Sequence, residues 1–275
     1  MPAYATVLAI LVGSDSDDAV LNAAGRMVGA GGGLRAMTVR SDPARVLPIV
    51  GEAGAAAAAE LMTVLEQQAK ERAARARSNF SSWRSRVKEV RAEFEELEGH
   101  PSETAAAAAR NTDLVVVARP RDEAEPLAAS LFEACLFGSG RPVLVVPKST
   151  PATFGASIVV LWDGSRTAAR ALGDALPLLA GARSVLVVTC GRLDEEVPTG
   201  EAVAARLNAQ GLPAKARSLE PGDGEPAALA AAASEAGCDL IVMGGYGHSR
   251  VREMILGGVT RHMLGSAPVP LLMSH

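Results

Sequence analysis

The sequence predicts an α/β protein made of two tandem doubly wound domains, each with a five-stranded, mainly parallel sheet flanked by helices. Three observations predict it. The chain repeats itself: Asp113-Leu-Val-Val-Val-Ala118 matches Asp239-Leu-Ile-Val-Met-Gly244, and 29 residues beyond each Asp a second apolar stretch opens with proline, Pro142-Val-Leu-Val-Val146 and Pro268-Val-Pro-Leu-Leu272. Apolar runs alternate with helix-forming segments, the pattern of βαβ units and a parallel sheet. Hydrophobic residues make up 48% of the chain but aromatic ones only 3%, so Ala, Val and Leu dominate, as suits buried parallel strands under Ala-rich helices. At 275 residues the chain can bury two ordinary cores.

The repeat sets the domains at 1–150 and 156–275, with the turn residues Lys148-Ser-Thr-Pro-Ala-Thr-Phe-Gly155 between them. In the first half, strands are expected near 5–12, 34–39, 90–97, 113–118 and 143–147. Gly13-Ser-Asp-Ser-Asp-Asp18 is acidic but lacks the Gly and distal Glu of a calcium loop, so it reads as a turn and a helix start. The stretch 52–87 is rich in Ala, Glu, Arg and Gln, strong helix formers. It predicts one amphipathic helix over 52–77 packed on the sheet or on the other domain, and it is longer than its counterpart in the second half. There, strands are expected near 157–162, 184–190, 214–219, 239–243 and 269–273, and helices near 166–180, 199–210, 225–236 and 259–265. Thr6–Ser14 matches Ser157–Ser165, and Ser165 is the expected N-cap of the helix that follows.

Composition excludes several function classes. Net charge is −4 with both signs dispersed, unlike the basic footprint of a nucleic-acid binder. Three scattered cysteines, Cys135, Cys190 and Cys238, make neither a disulfide framework nor a zinc site, and the expected location is cytoplasmic. The apolar stretch Tyr4–Val12 has no positive flank and reads as a strand. No segment predicts a membrane span. There is no Gly-x4-Gly-Lys-Ser/Thr motif and no cluster with metal-ligand spacing.

The stretch with most chemical content follows the strand at 239–243: Gly244-Gly-Tyr-Gly247-His-Ser-Arg-Val-Arg-Glu-Met-Ile-Leu-Gly257-Gly258-Val-Thr260. Its first glycines leave the carboxyl end of a strand, where ligands bind in open α/β sheets. Gly257 and Gly258 open the next helical segment. Glycine admits close backbone approach, and a helix N-terminus offers free N–H groups and a positive dipole end to phosphate. The spacing Gly244-x2-Gly247-x9-Gly257, the Asp163-Gly-Ser165 strand exit and the closing Pro-Val-Pro-Leu-Leu strand resemble the universal stress protein family, in its ATP-binding form and as a tandem of two domains.

The resemblance implies a stress-response or regulatory protein that binds ATP, or ADP or AMP, with magnesium as an optional companion. It implies that Asp163 faces the adenosine part and Thr189 sits where backbone groups meet adenine. Gly244 and Gly247 would pass near ribose and phosphate, and Gly257, Gly258 and Val259 would line the phosphates. One departure weakens the match: Gly258 stands where the family has Ser or Thr, and losing a hydrogen bond to a charged group costs about 1.5–3 kcal/mol. The first half departs further. Val12 replaces the acid, Ala118 and Arg121 the first glycine pair, and Leu131 and Phe132 the second, so this half is expected to serve as a structural or pairing partner.

No nucleophile or base is evident, and no catalysis is expected. His248 and His262 read as surface histidines, Arg250 and Arg252 as solvated charges or phosphate partners, and Cys190 and Cys238 as small hydrophobes at strand ends. The rival readings are an interaction module of the same family without nucleotide and, third, a nucleotide-dependent transferase. The family's last strand often pairs domains, so the two halves are expected to pair internally, leaving a homodimer or a protein partner open.

Overall fold

The computed structural model describes residues 4–41, 55–120, 126–150, 153–220, 224–246 and 258–275, with backbone only for 55–58. The first half runs β1 (Tyr4–Ile10), α1 (Asp17–Met27), β2 (Val28–Ser41), α2 (Ala55–Arg86), β3 (Ala92–Gly99), α3 (Pro101–Ala109), β4 (Leu114–Ala118), α4 (Pro126–Gly138) and β5 (Val143–Val146). The second half repeats the order as β6 (Ser157–Leu161), α5 (Arg166–Leu179), β7 (Ser184–Cys190), α6 (Gly200–Ala209), β8 (Ala214–Leu219), α7 (Glu225–Glu235), β9 (Leu240–Gly244), α8 (Gly258–Ser266) and β10 (Leu271–Ser274).

Each half forms five parallel strands in the same order, and the two join into one ten-stranded sheet, β3-β2-β1-β4-β5-β10-β9-β6-β7-β8. The joint is antiparallel, with Leu271 opposite Val145 and Met273 opposite Val143. The expected internal pairing of last strands is therefore realised. Helices α1, α2, α5 and α6 cover one face of the sheet, and α3, α4, α7 and α8 the other. Arg119, the residue after β4, clamps the joint by donating to the carbonyls of Ala267 and Val269.

The repeated aspartates have a structural use. Asp239 accepts from the backbone N–H of Gly155 (2.8 Å), Ala156 (3.1 Å) and Ser157 (3.0 Å), fixing the start of β6 beside β9. Asp113 does the same for β1 through the N–H and hydroxyl of Thr6. Ser165 is the N-cap of α5, its hydroxyl accepting from Ala168 N at 3.1 Å.

Two elements differ in extent from expectation. β2 starts at Val28 because the run Gly29-Ala-Gly-Gly32 loops between the Tyr4↔Val28 and Thr6↔Gly33 pairings; a Cβ on Gly32 would stand 2.5 Å from the Ala5 carbonyl oxygen. α2 continues to Arg86, whereas the expected start at 52 lies outside the described residues. Ser and Asn in its last turns are weak helix formers. Tertiary packing overrides them, since Ala69, Ala73, Ala76, Phe80 and Trp83 form one buried face against α1, β2 and β3 of the same half. Trp83 also donates from Nε1 to Asn22.

Candidate functional site

In the second half, β6, β7 and β8 are laid down in one direction, after which the chain returns to place β9 on the other side of β6. The carboxyl ends of β6 and β9, where the strand order reverses, are the position at which open α/β sheets take ligands. Strand register brings the predicted residues to this edge. Leu161 pairs with Val188 of β7 and with Met243 of β9, so Asp163, Thr189 and Gly244 leave three adjacent strands at one level.

Asp163 is exposed, and one of its carboxylate oxygens accepts from Ser165 N at 2.9 Å. Gly164 turns the chain there with φ +74°. Gly244 is required by packing: a Cβ would come within 2.6 Å of Ala168 N and Thr167 Oγ1, in the first turn of α5. Gly258 is exposed at the start of α8, and among the described residues a Cβ there would meet only Pro226, at 3.9 Å. Val259 packs partly into the second core and Thr260 is buried. Gly247, Gly257, His248, Arg250 and Arg252 lie outside the described residues. His262 is half-buried on α8.

Thr189 is 4% exposed, and its hydroxyl has no hydrogen-bond partner among the described residues. It lines a cleft of about 270 Å³ shared with Gly191–Glu195, Val197, Thr199–Glu201 and Ser218. Gly200 leaves the hydroxyl room, since a Cβ there would stand 2.8 Å from Oγ1. The rim is acidic through Asp194, Glu195 and Glu201, with Arg192 as the cation. Glu201 accepts from the Ser218 hydroxyl at 3.0 Å, and its own N-terminal backbone N–H, with that hydroxyl and Thr199, holds its carboxyl below the usual range. The family resemblance pointed to Thr189; the unpaired hydroxyl and the cleft depend on α6 and β8 and have no signature in the sequence.

The first half is built differently at the same place. Met37 pairs with Ile10 as Val188 pairs with Leu161, which puts Thr38 at the position of Thr189. The Thr38 hydroxyl donates to the Leu11 carbonyl at 3.0 Å. Helix α2 crosses the end of β1: Arg75 Nε donates to the Gly13 carbonyl at 3.0 Å and Asn79 to the Ser14 carbonyl at 3.1 Å. A Cβ on Gly13 would lie 2.3 Å from the Arg72 carbonyl oxygen. Beneath it, the Asp17 carboxylate accepts from the N–H groups of Val12 and Gly13 and from Asn79. Burial raises its carboxyl above the ordinary value, against the pull of those donors. Leu131 and Phe132 are buried within α4, and Ala118 is buried at the end of β4. Arg121 lies outside the described residues.

Among the described residues no three His, Cys, Asp or Glu side chains converge to hold a metal ion, and no helix is long and apolar enough to cross a membrane. Burial pushes the Cys135 thiol up to about 12 and, with the Asp239 carboxylate beside it, the Cys238 thiol up to about 11, so neither forms a thiolate near neutrality.

The sequence pattern of the universal stress protein family matches residues 156–275. No curated protein matches the chain. The fold is similar to that of a universal stress protein from Archaeoglobus fulgidus DSM 4304, 19% identical over 98% of this chain and 97% of that chain, with a TM-score of 0.67. A second similar structure is a putative universal stress protein from Pseudomonas aeruginosa UCBPP-PA14, 12% identical over 99% of this chain and 93% of that chain, with a TM-score of 0.53. A shorter structure, 22% identical over 54% of this chain and 99% of its own with a TM-score of 0.32, is a universal stress protein in complex with cAMP. The universal stress protein pattern thus covers the second half of the chain, and the fold of the two halves together is similar to that of solved universal stress proteins.

Proposed function

We propose that the second half binds an adenine nucleotide, one per chain, as a regulatory protein that does not turn it over. The observation that carries this reading is the Thr189 hydroxyl, buried without a partner on a cleft, while Thr38 at the same register is satisfied within the protein. An unsatisfied buried hydroxyl costs about 1–3 kcal/mol, which a ligand's polar edge would recover. The cleft of 270 Å³ is near the lower end of ligand pockets, about 300 Å³, and suits one ring system. Its acidic rim repels phosphate. The ribose and phosphates would therefore run past Asp163 toward the exposed N-terminus of α8 at Gly258 and Val259, where N–H groups and the dipole favour anions. Gly247 and Gly257 would complete the cradle, and ATP, ADP and AMP all fit this scheme.

Titration of nucleotide-stripped protein with ATP tests the reading. Saturable binding is expected, weakened by Asp163→Ala and by Thr189→Val, with the ATP left intact. Thr189→Val removes the hydroxyl with little change in volume, so it should leave folding unharmed. Wild-type protein that binds none of ATP, ADP or AMP overturns the reading. The alternative, an interaction module, draws on Leu61 and Val64, each 47% exposed on the part of α2 beyond its buried face; capture of a defined partner that is lost in Leu61→Glu would favour it.

A further inference from the structure

The exit of β9 is held by the opposite half of the chain. Gly245 N donates to the Ser274 carbonyl at 2.8 Å. A Cβ on Gly245 would stand 3.0 Å from Leu136 Cδ2 of α4 and 3.3 Å from Met273 Cε, so this residue is wedged between the first half and β10. Tyr246 follows with φ +57°, a left-handed conformation that a non-glycine residue keeps only where its surroundings impose it. Its surroundings do. Its ring lies 4.7 Å from that of Phe137, tilted by 60°, and Phe137 also meets His275 edge-on at 4.8 Å. The His275 ring nitrogen Nδ1 is 3.0 Å from the Gly245 carbonyl. Arg170 of α5 donates both to the His275 carbonyl (3.0 Å) and to the Gly140 carbonyl beyond α4 (2.7 Å).

The two residues that follow Gly244 in the glycine pattern, Gly245 and Tyr246, are thus seated on α4. The first half has an occluded crevice of its own, yet it supplies the surface that fixes how the chain leaves the second half's crevice. We propose that Phe137 is a positioning residue for the nucleotide site across the domain joint: it touches no ligand, and it holds Tyr246 and Gly245 in the conformation that nucleotide binding needs. By linkage, bound nucleotide must in turn stabilise the contact between Tyr246 and α4.

The inference rests on the nucleotide reading. Phe137 is 46% exposed, so Phe137→Ala should leave the unfolding midpoint almost unchanged. It is expected to weaken ATP binding about tenfold, the equivalent of one aromatic pair, and to speed hydrogen exchange at the Gly245 and Tyr246 amides. Phe137→Tyr keeps the ring and should restore both. In the wild type, ATP should slow exchange at the α4 amides around Phe137. Wild-type affinity and unchanged exchange in Phe137→Ala would overturn the inference and leave the nucleotide reading standing. So would a loss of binding that follows a fallen unfolding midpoint and is not rescued by Phe137→Tyr. A wild type that binds no nucleotide overturns the reading itself, and the inference with it.

Discussion

Replacing Gly13 by alanine tests whether α2 lies across the end of β1. Gly13 has φ +70°, and a left-handed conformation costs an L-residue about 1–2 kcal/mol. The larger obstacle is steric. The new methyl would lie 2.3 Å from the Arg72 carbonyl oxygen, 3.0 Å from its carbon and 3.1 Å from its Cα. These are backbone atoms in the middle of a helix, so no rotamer change relieves the contact. Helix α2 must lift, weakening the Arg75 and Asn79 bonds to the Gly13 and Ser14 carbonyls, and overpacking of this kind adds about 1–3 kcal/mol. Together the loss is about 2–5 kcal/mol. Gly31 is the control: its φ is +76°, but among the described residues a Cβ there meets nothing within 4 Å, so Gly31→Ala should lose only the conformational part, about 1–2 kcal/mol. Denaturant unfolding of both variants measures the difference, provided the slopes agree. Equal losses would refute the placement of α2 over the crevice of the first half.

Further predictions follow from the paired aspartates and the phenols. Asp239→Ala strands three backbone N–H groups and Asp113→Ala one N–H and one hydroxyl; hydrogen bonds to charged groups are worth about 1.5–3 kcal/mol, so both variants should unfold at lower denaturant and Asp239→Ala at the lower of the two. The chain has two tyrosines, and burial raises both. Tyr4 is raised further by the Asp174 and Asp113 carboxylates. Tyr246 is pushed up to about 12 by burial and then Glu133, against the opposing pull of Arg261. The folded chain therefore keeps phenolic protons that the unfolded chain loses near the ordinary value of 10.0. The neutral Tyr246 phenol contributes stability fully present below pH 10 and lost as pH rises through about 12. Tyrosinate absorbance should stay low in native protein where denatured protein has already ionised; native ionisation near pH 10 would contradict both burials.

Much of the architecture was legible because it is carried by local pattern. The Asp113 and Asp239 repeats mark strands that are wholly buried, and continuous apolar runs announce such strands without ambiguity. The pairing of β5 with β10 was an expectation of the family resemblance, applied to two halves of one chain. What escaped depends on contacts between distant residues. Helix α2 runs past Arg77 because Phe80 and Trp83 find a core formed by Phe94 and α1, which no helical propensity encodes. β2 begins early because four residues, three of them glycine, loop out against β1. At the site, the family resemblance named Asp163, Thr189 and Gly244, and strand register places all three at one edge. The unpaired Thr189 hydroxyl, the filling of Gly244 by α5 and the seat of Gly245 on Leu136 were not legible, because each is set by an element far away in the chain.

The number of nucleotides bound per chain tests the central claim most directly. Calorimetric titration of nucleotide-stripped protein with ATP should give one site, lost in Gly247→Glu, because the second half offers an unpaired hydroxyl and an open helix terminus while α2 fills the crevice of the first. Two sites would contradict the occlusion of the first half, and no site would leave the cleft at Thr189 without its proposed occupant.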